Sequence, residues 1–318
     1  MHLQLQIDVE KLAAPGSRKV GSAGHQQALE YLKDRMIQTG LEPYSGDTFE
    51  IPYSIESIHY TNLAGIWSGT DRSLKPILLI AHYDTCGDQP GADDNAAAIA
   101  IWFDVIESIK KLKLQRDILV LFPDAEEPPQ FLSEHMGSIN FYESQLKRSI
   151  HAGLVLDLVG HDIPLEGMED LLFIFGAESH PDMAELLVET KLPEGLKNIA
   201  TLNRYVGDLS DHHILRENGE AYLFFTCGRW EHYHQRSDTP EHLNYTKMAR
   251  ISQYLVSLIQ QLDLKDIKEK VSDFDPVQME LQLLHRALGP YLNQHGIAIQ
   301  NRDDIQKFVL SWINQYNL

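Results

Sequence analysis

Only two cysteines, Cys86 and Cys227, occur in 318 residues. They are too few and too far apart for a disulfide framework or a CxxC metal pair. Basic residues are scarce as well: 27 Lys and Arg against 46 Asp and Glu leave a formal net charge of −19. Such a field argues against gripping nucleic acid or an anionic membrane through a basic face, and suits a cationic ligand such as a metal ion or a free amine. No apolar run approaches the ~18 residues of a membrane span, and "MHLQLQIDVEKL" lacks the basic stretch and apolar run of a secretory signal. The expectation is a soluble protein of the reducing cytoplasm, without a nucleic-acid or membrane partner. At 43% hydrophobic and 23% charged residues the chain is otherwise an ordinary globular one, long enough for one large α/β domain or two modest ones.

What is present alternates. Residues 25–40 carry Ala28, Leu29, Leu32 and Met36 at helical spacing and stop at Gly40. Residues 57–68 read as a strand, and "PILLIAH" (76–82), "DILVLFPDAEE" (117–127), "AGLVLDLVG" (152–160), "LLFIFG" (171–176) and "AYLFFTC" (221–227) as buried strands. Helical patterns cover 93–112 and 137–147 and recur between the later strands. Continuous apolar strands alternating with helices predict an α/β three-layer sandwich: a central, mostly parallel mixed sheet flanked by helices. Residues 265–318 are helical and charged without a strand pattern, so the expected division is a catalytic domain over 1–264 and a helical extension packed on it.

Polar residues collect where those strands end, the edge at which α/β folds build their sites. His82 and Asp84 follow one strand, Glu126 and Glu127 the next, Asp157 another, and His234 and Asp238 follow 221–227; Asp93 and Asp94 open the helix after "GDQPGA". Each alone has a plain structural explanation, as a helix cap, a solvated acidic pair or a core histidine. Asp157 is the exception, because "LVLDLVG" buries a charge that needs a counterion. Taken together, two histidines and three carboxylates, with a fourth carboxylate left for proton transfer, exceed one tetrahedral zinc. They suit two zinc ions sharing a carboxylate and a water, a hydrolytic centre.

The order H-x-D, G-A-D-D-N, E-E, a strand-end D and Y-H-Q-x-x-D-T-P resembles metallopeptidase family 28, the double-zinc aminopeptidases. "LAAPGSRKVGSAGHQQALEYLKDRMIQTGLEP", "EEPPQFLSEHMGS" and "LSDHHIL" are similar to further parts of that family, and the resemblance spans residues 10–262. It implies Asp93 as the bridging ligand, His82 and Asp157 on one zinc, and Glu127 and His234 on the other. Glu126 would be the general base, and Asp84 would sit behind His82 and fix its tautomer. Asp238 would either do the same near His234 or cap a helix with Thr239 and Pro240. The family's cis peptide would fall at Asp93–Asp94.

The implied substrate is a peptide with a free amino terminus. Tyr233, next to His234, is a candidate donor to the oxyanion, with packing on the site wall as the equal alternative. Cys86 reads as a small buried filler. His212 and His213 are not needed as ligands, though one could line the pocket or bond Asp211, and the Y-H-Q order favours His234 over His232. A glutaminyl cyclase, which shares the fold and uses one zinc, is the nearest rival. A carboxypeptidase using Arg204, Arg229 or Arg236, and a non-catalytic binding protein on the same fold, are the others.

Overall fold

The computed structural model describes residues 2–267 and 274–316. Helices α1 (Leu3–Ala13) and α2 (Ala23–Gln38) lead into a short strand β1 (Glu42–Pro43) and a hairpin of β2 (Glu50–Ile55) and β3 (Ile58–Trp67). Next come β4 (Ile77–Ile80), α3 (Ala98–Ile109), β5 (Ile118–Phe122), α4 (Gly137–Asn140), β6 (Ala152–Leu156), β7 (Leu171–Phe175), α5 (Pro181–Glu189), β8 (Lys197–Ala200), α6 (His212–Glu217) and β9 (Tyr222–Thr226). Three helices follow: α7 (Tyr245–Leu264), α8 (Val277–Gln294) and α9 (Arg302–Tyr316). The extension expected over 265–318 includes residues 268–273, 317 and 318, which lie outside the described residues.

The strands form one sheet in the order β1-β3-β5-β4-β6-β9-β7-β8, with β2 also paired to β3. β5, β4, β6 and β9 run parallel at its centre, and every residue of all four is buried. That explains why they read as unbroken apolar runs rather than alternating ones. The antiparallel pairs lie towards the margins, where β3 joins β5 and β7 joins β9. The sequence reading anticipated neither β2, whose Pro52 suits an edge position, nor β8, four residues beginning with Lys and Asn.

One hydrophobic core extends from Leu5 of α1 to Trp312 of α9. α1, α3 and α7 pack on one another, while α8 packs on β8 and α5. α8 is also pinned by polar contacts: Arg286 donates to Asn198 of β8, and buried Glu280 accepts from Thr201. Among the described residues no helix is long and apolar enough to cross a membrane.

Candidate metal centre

The ends of the central strands deliver the candidate side chains to one place. His82 and Asp84 follow β4, Glu126 and Glu127 follow β5, Asp157 follows β6, and His234 lies in the loop after β9. The first five are buried and His234 is half-buried.

At the centre stands Asp94. Its Oδ1 is 3.4 Å from His82 Nε2 and its Oδ2 is 3.2 Å from His234 Nε2. His82 Nε2 also lies 3.7 Å from Glu126 Oε2 and from Asp157 Oδ1, and His234 Nε2 is 3.0 Å from Glu127 Oε2. Asp93, the residue expected here, points elsewhere: it accepts from Gly160 N at 2.7 Å and from His161 Nδ1 at 2.7 Å. The cis peptide is likewise displaced by one residue, to Asp94–Asn95. The cause is local. The turn that opens the helix, Ala92–Ala97, is broken at Asp94 and Asn95, whose φ/ψ are not helical, and regular helix begins only at Ala98. Spacing along the sequence cannot say which of two adjacent aspartates such a break turns inward.

Two further aspartates hold the backbone beneath the acidic pairs. Asp84 accepts from the N–H of Glu126 at 3.0 Å and of Glu127 at 3.1 Å. Asp238 accepts from the N–H of Asp93 at 2.8 Å and of Asp94 at 3.1 Å. Each carboxylate thus fixes two successive peptides, so neighbouring side chains leave in set directions. Asp84 is also 3.4 Å from His82 Nδ1, near enough to interact electrostatically but longer than a good hydrogen bond. Asp238 serves the aspartate turn rather than His234, and the short turn at Pro240–His242 has no side-chain cap, so its role is neither of the two expected.

Arg18 ties the same turn to the start of the chain. It is fully buried and donates to the carbonyls of Tyr83 (2.7 Å), Pro90 (2.5 Å) and Gly91 (2.9 Å). Gly91 has a φ of 60°, and a Cβ there would fall 2.3 Å from the Asp94 carbonyl and 2.9 Å from the Arg18 guanidinium. Sequence reasoning passed over Arg18 because its partners are backbone carbonyls some seventy residues away. His161, buried and stacked on Trp230, escaped notice for a similar reason. Three non-glycine residues at the rim, Ala125 (φ 57°), Leu158 (φ 53°) and His234 (φ 56°), adopt left-handed backbone. Each costs on the order of 1–3 kcal/mol and is characteristic of functional sites.

The electrostatics of the cluster are those of a site built for cations. Burial pushes Glu127 up to about 8, helped by Asp94, and pushes Glu126 well above the carboxylate range, with Glu127 and Asp157 adding to the shift against His82. Burial opposes charge on His234 too, yet Asp94 and Glu127 raise it to about 10. Burial would also raise Asp94, but the two imidazoles hold it below the usual range. Buried atoms that normally require partners lack a hydrogen bond of good geometry: both ring nitrogens of His82, His234 Nε2, Glu126 Oε1, Glu127 Oε1 and Asp157 Oδ1. Such atoms are expensive to leave unsatisfied, and a cation would satisfy them. Two groups meet the spacing for one ion, with ligand atoms within 4.8 Å of one another: His82, Glu126 and Asp157; and His82, Asp94 and Glu127.

A third group, Cys86, Glu127 and His234, places the thiol at the edge of the cluster, half-exposed rather than a buried filler. Burial and the nearby Glu127 raise the Cys86 thiol to about 11. Asp211 is expected from the sequence only as a partner for His212 or His213. It is fully buried, its oxygens lack hydrogen-bond partners, and burial raises it to about 7. His213 bonds Asp208 (2.8 Å), not Asp211, and His212 stacks on Phe224. His232 bonds Ser237, away from the cluster.

A cavity of about 180 Å³ opens over Asp94, Glu126, Glu127 and Asp157 and is walled by Phe131, Leu158, Leu209, Arg229 and Tyr233. The Tyr233 ring stacks on His234 at 3.8 Å between centroids, and the Arg229 guanidinium lies over the Tyr233 ring, 5.0 Å from its centroid. Of the three arginines considered for a substrate carboxylate, only Arg229 lines this cavity.

The sequence profile of Peptidase family M28 matches residues 62–259, and the chain belongs to that family. The Escherichia coli protein YfbL, itself uncharacterized, is 22% identical over 263 residues, 73% of this chain and 79% of YfbL. Among solved structures, a Zn-dependent exopeptidase from Parabacteroides distasonis is similar with a TM-score of 0.65 at 16% identity, covering 82% of this chain and 98% of that one. A glutaminyl cyclase from Porphyromonas gingivalis matches equally, with a TM-score of 0.65, 16% identity and the same two coverages. These likenesses show the fold and leave the reaction to be argued from the site.

Proposed function

We propose that the protein is a zinc-dependent aminopeptidase. The observation that carries this reading is the position of Asp94 between two imidazoles, each with a carboxylate of its own. Asp94 is then the shared ligand, with His82 and Asp157 on one ion and His234 and Glu127 on the other. Two zinc ions there would lower the pKa of a shared water and polarise a substrate carbonyl.

The remaining chemistry belongs to the chain. Glu126 is the carboxylate left outside both ligand sets, 3.7 Å from His82 Nε2, and burial, the largest cause, raises its proton affinity, so that once ionised it is a stronger base than an exposed carboxylate. It takes the proton from the attacking water and returns it to the leaving amine. Asp84 keeps Glu126 and Glu127 aimed apart through their peptide N–H groups. Tyr233 retains its proton, since burial and then Asp94 push its phenol above the ordinary range, so it serves as a donor to the oxyanion. A free ammonium terminus gains charge-assisted hydrogen bonds in a cavity floored by carboxylates, and an acetylated one does not.

The glutaminyl-cyclase reading rests on equal structural similarity, but two complete imidazole–carboxylate corners support two ions rather than one. Zinc-loaded protein should hydrolyse leucine p-nitroanilide at least tenfold faster than its N-acetyl derivative. Equal rates would exclude an aminopeptidase, and release of pyroglutamate from an N-terminal glutamine would establish the cyclase.

A further inference from the structure

The loop between β4 and the aspartate turn carries a donor outside the ligand set that the family resemblance implies. Cys86 Sγ lies with a Glu127 carboxylate oxygen and a His234 ring nitrogen, all within 4.8 Å of one another. Donor atoms on one tetrahedral zinc stand roughly 3.3–3.6 Å apart, so side-chain shifts of about an ångström bring these three onto a single ion. Two of the three also lack partners. Glu127 is 4% exposed, and neither its Oε1 nor His234 Nε2 makes a hydrogen bond of good geometry.

We propose that Cys86 is a further ligand of the ion held by Asp94, Glu127 and His234, binding it through sulfur. This rests on the reading that the cluster holds two metal ions, and it gives one of them a donor of a different chemical class. As the bond forms, the thiol proton leaves to solvent and the sulfur supplies the electron pair, so no oxidant or reductant is involved. With three other protein donors at this corner, a shared water is then a fifth ligand, a coordination that zinc reaches at catalytic sites.

Three observations favour a ligand over a packing filler. The charged groups that act on the half-exposed thiol are Glu127, Asp94 and Asp84, opposed by Lys19, so it faces carboxylates rather than an apolar wall. Its two neighbours in the chain are anchored. Thr85 Oγ1 accepts from the Arg18 N–H at 2.9 Å, and the Gly87 carbonyl accepts from Ser17 Oγ at 2.9 Å. The two partner side chains are held as well, Glu127 through its N–H on Asp84 and the His234 ring by stacking on Tyr233. The consequence is metal choice. Carboxylate donors suit manganese, whereas a thiolate selects softer ions such as zinc and cadmium. Cys86 therefore biases this corner towards thiophilic metals.

The test loads the full-length chain with cobalt(II) and reads its absorption. The wild type should show a near-ultraviolet sulfur-to-cobalt charge-transfer band, and Cys86→Ser should lose the band while still binding cobalt. The same variant should lower the ratio of cadmium to manganese affinity by at least ~10-fold. A second readout needs no variant and holds if Cys86→Ser folds poorly. The disulfide reagent DTNB should modify one thiol of the folded apo chain, Cys86, since Cys227 is fully buried. Saturating zinc should slow that reaction at least ~10-fold. Bound cobalt without the band, a band that survives Cys86→Ser, or DTNB modification unaffected by zinc would overturn Cys86 as a ligand and leave the two-ion reading standing. A chain that binds neither cobalt nor zinc would overturn that reading and the ligand with it.

Discussion

Exchanging one carboxylate for its amide at two adjacent positions separates the roles of Asp93 and Asp94. In Asp94→Asn the side chain keeps its shape but loses its charge between His82 and His234, which it approaches at 3.4 and 3.2 Å. Altering a residue that merely orients a metal ligand typically weakens binding ~10–100-fold, so under the proposed two-zinc arrangement the loss of a charged ligand shared by both ions should exceed ~100-fold. Asp93→Asn acts on other partners. Its two 2.7 Å hydrogen bonds, to the Gly160 N–H and the His161 ring, are buried. An amide can still accept from Gly160, but its NH2 must face His161, leaving one charge-assisted bond lost at a cost of about 1–3 kcal/mol. For a chain of this size that corresponds to a fall in Tm of about 2–5 °C. Zinc content after dialysis against a competing chelator, measured beside thermal melts of the apo proteins, reads both effects. Asp94→Asn should lose both zinc ions with a small change in apo stability, and Asp93→Asn should keep both while melting earlier. The opposite pattern, with zinc lost from Asp93→Asn and kept by Asp94→Asn, would refute the arrangement.

Two other perturbations test the supports around the site. Arg18→Lys preserves the buried charge but gives up at least two of the guanidinium's bonds to the carbonyls of Tyr83, Pro90 and Gly91. At about 1.5–3 kcal/mol for each charged bond, the loss should be about 3–6 kcal/mol in urea unfolding, and a change below ~1 kcal/mol would contradict it. His212 is fully buried, and burial lowers its pKa from 6.5 to about 3 despite Asp208. The unfolded chain binds the proton more readily, so this stabilisation is intact above pH 6.5 and fades as the pH falls toward 3. At pH 5 the deficit is about 2 kcal/mol by linkage. His212→Phe should therefore remove the His212 share of the difference in Tm between pH 7 and pH 5, leaving the shares of the other groups with shifted titration, among them His151, which burial lowers to about 4, and Asp211, which burial raises to about 7. An unchanged difference would exclude the linkage.

Burial made the centre of the fold legible. β4, β5, β6 and β9 are covered on both faces, and so are written as unbroken Ile, Leu, Val and Phe. β8 is short and begins with Lys197 and Asn198, and the partners of Asn198, Arg286 and Tyr254, arrive later in the chain, so nothing local marks it as a strand. The same contrast governs the site. His82, Glu126, Glu127 and Asp157 are legible as a group, because each alone has a plain explanation but all of them fall at the ends of neighbouring apolar strands. Asp94 was not separable from Asp93, because a broken helical turn decides their directions. Arg18 carries no local pattern at all, since backbone carbonyls of any residue type can accept from it.

The place of β9 has a consequence for how the chain is made. β9 lies between β6 and β7, although it is synthesised after β7 and β8. Until residue 226 has left the ribosome, β6 and β7 each present an unpaired edge, and open edges of this kind recruit other chains. His234 and Asp238, which complete the cluster and hold the Asp93–Asp94 backbone, emerge immediately afterwards. Closure of the sheet and assembly of the site are therefore one late event, and a chain stopped before β9 would have neither.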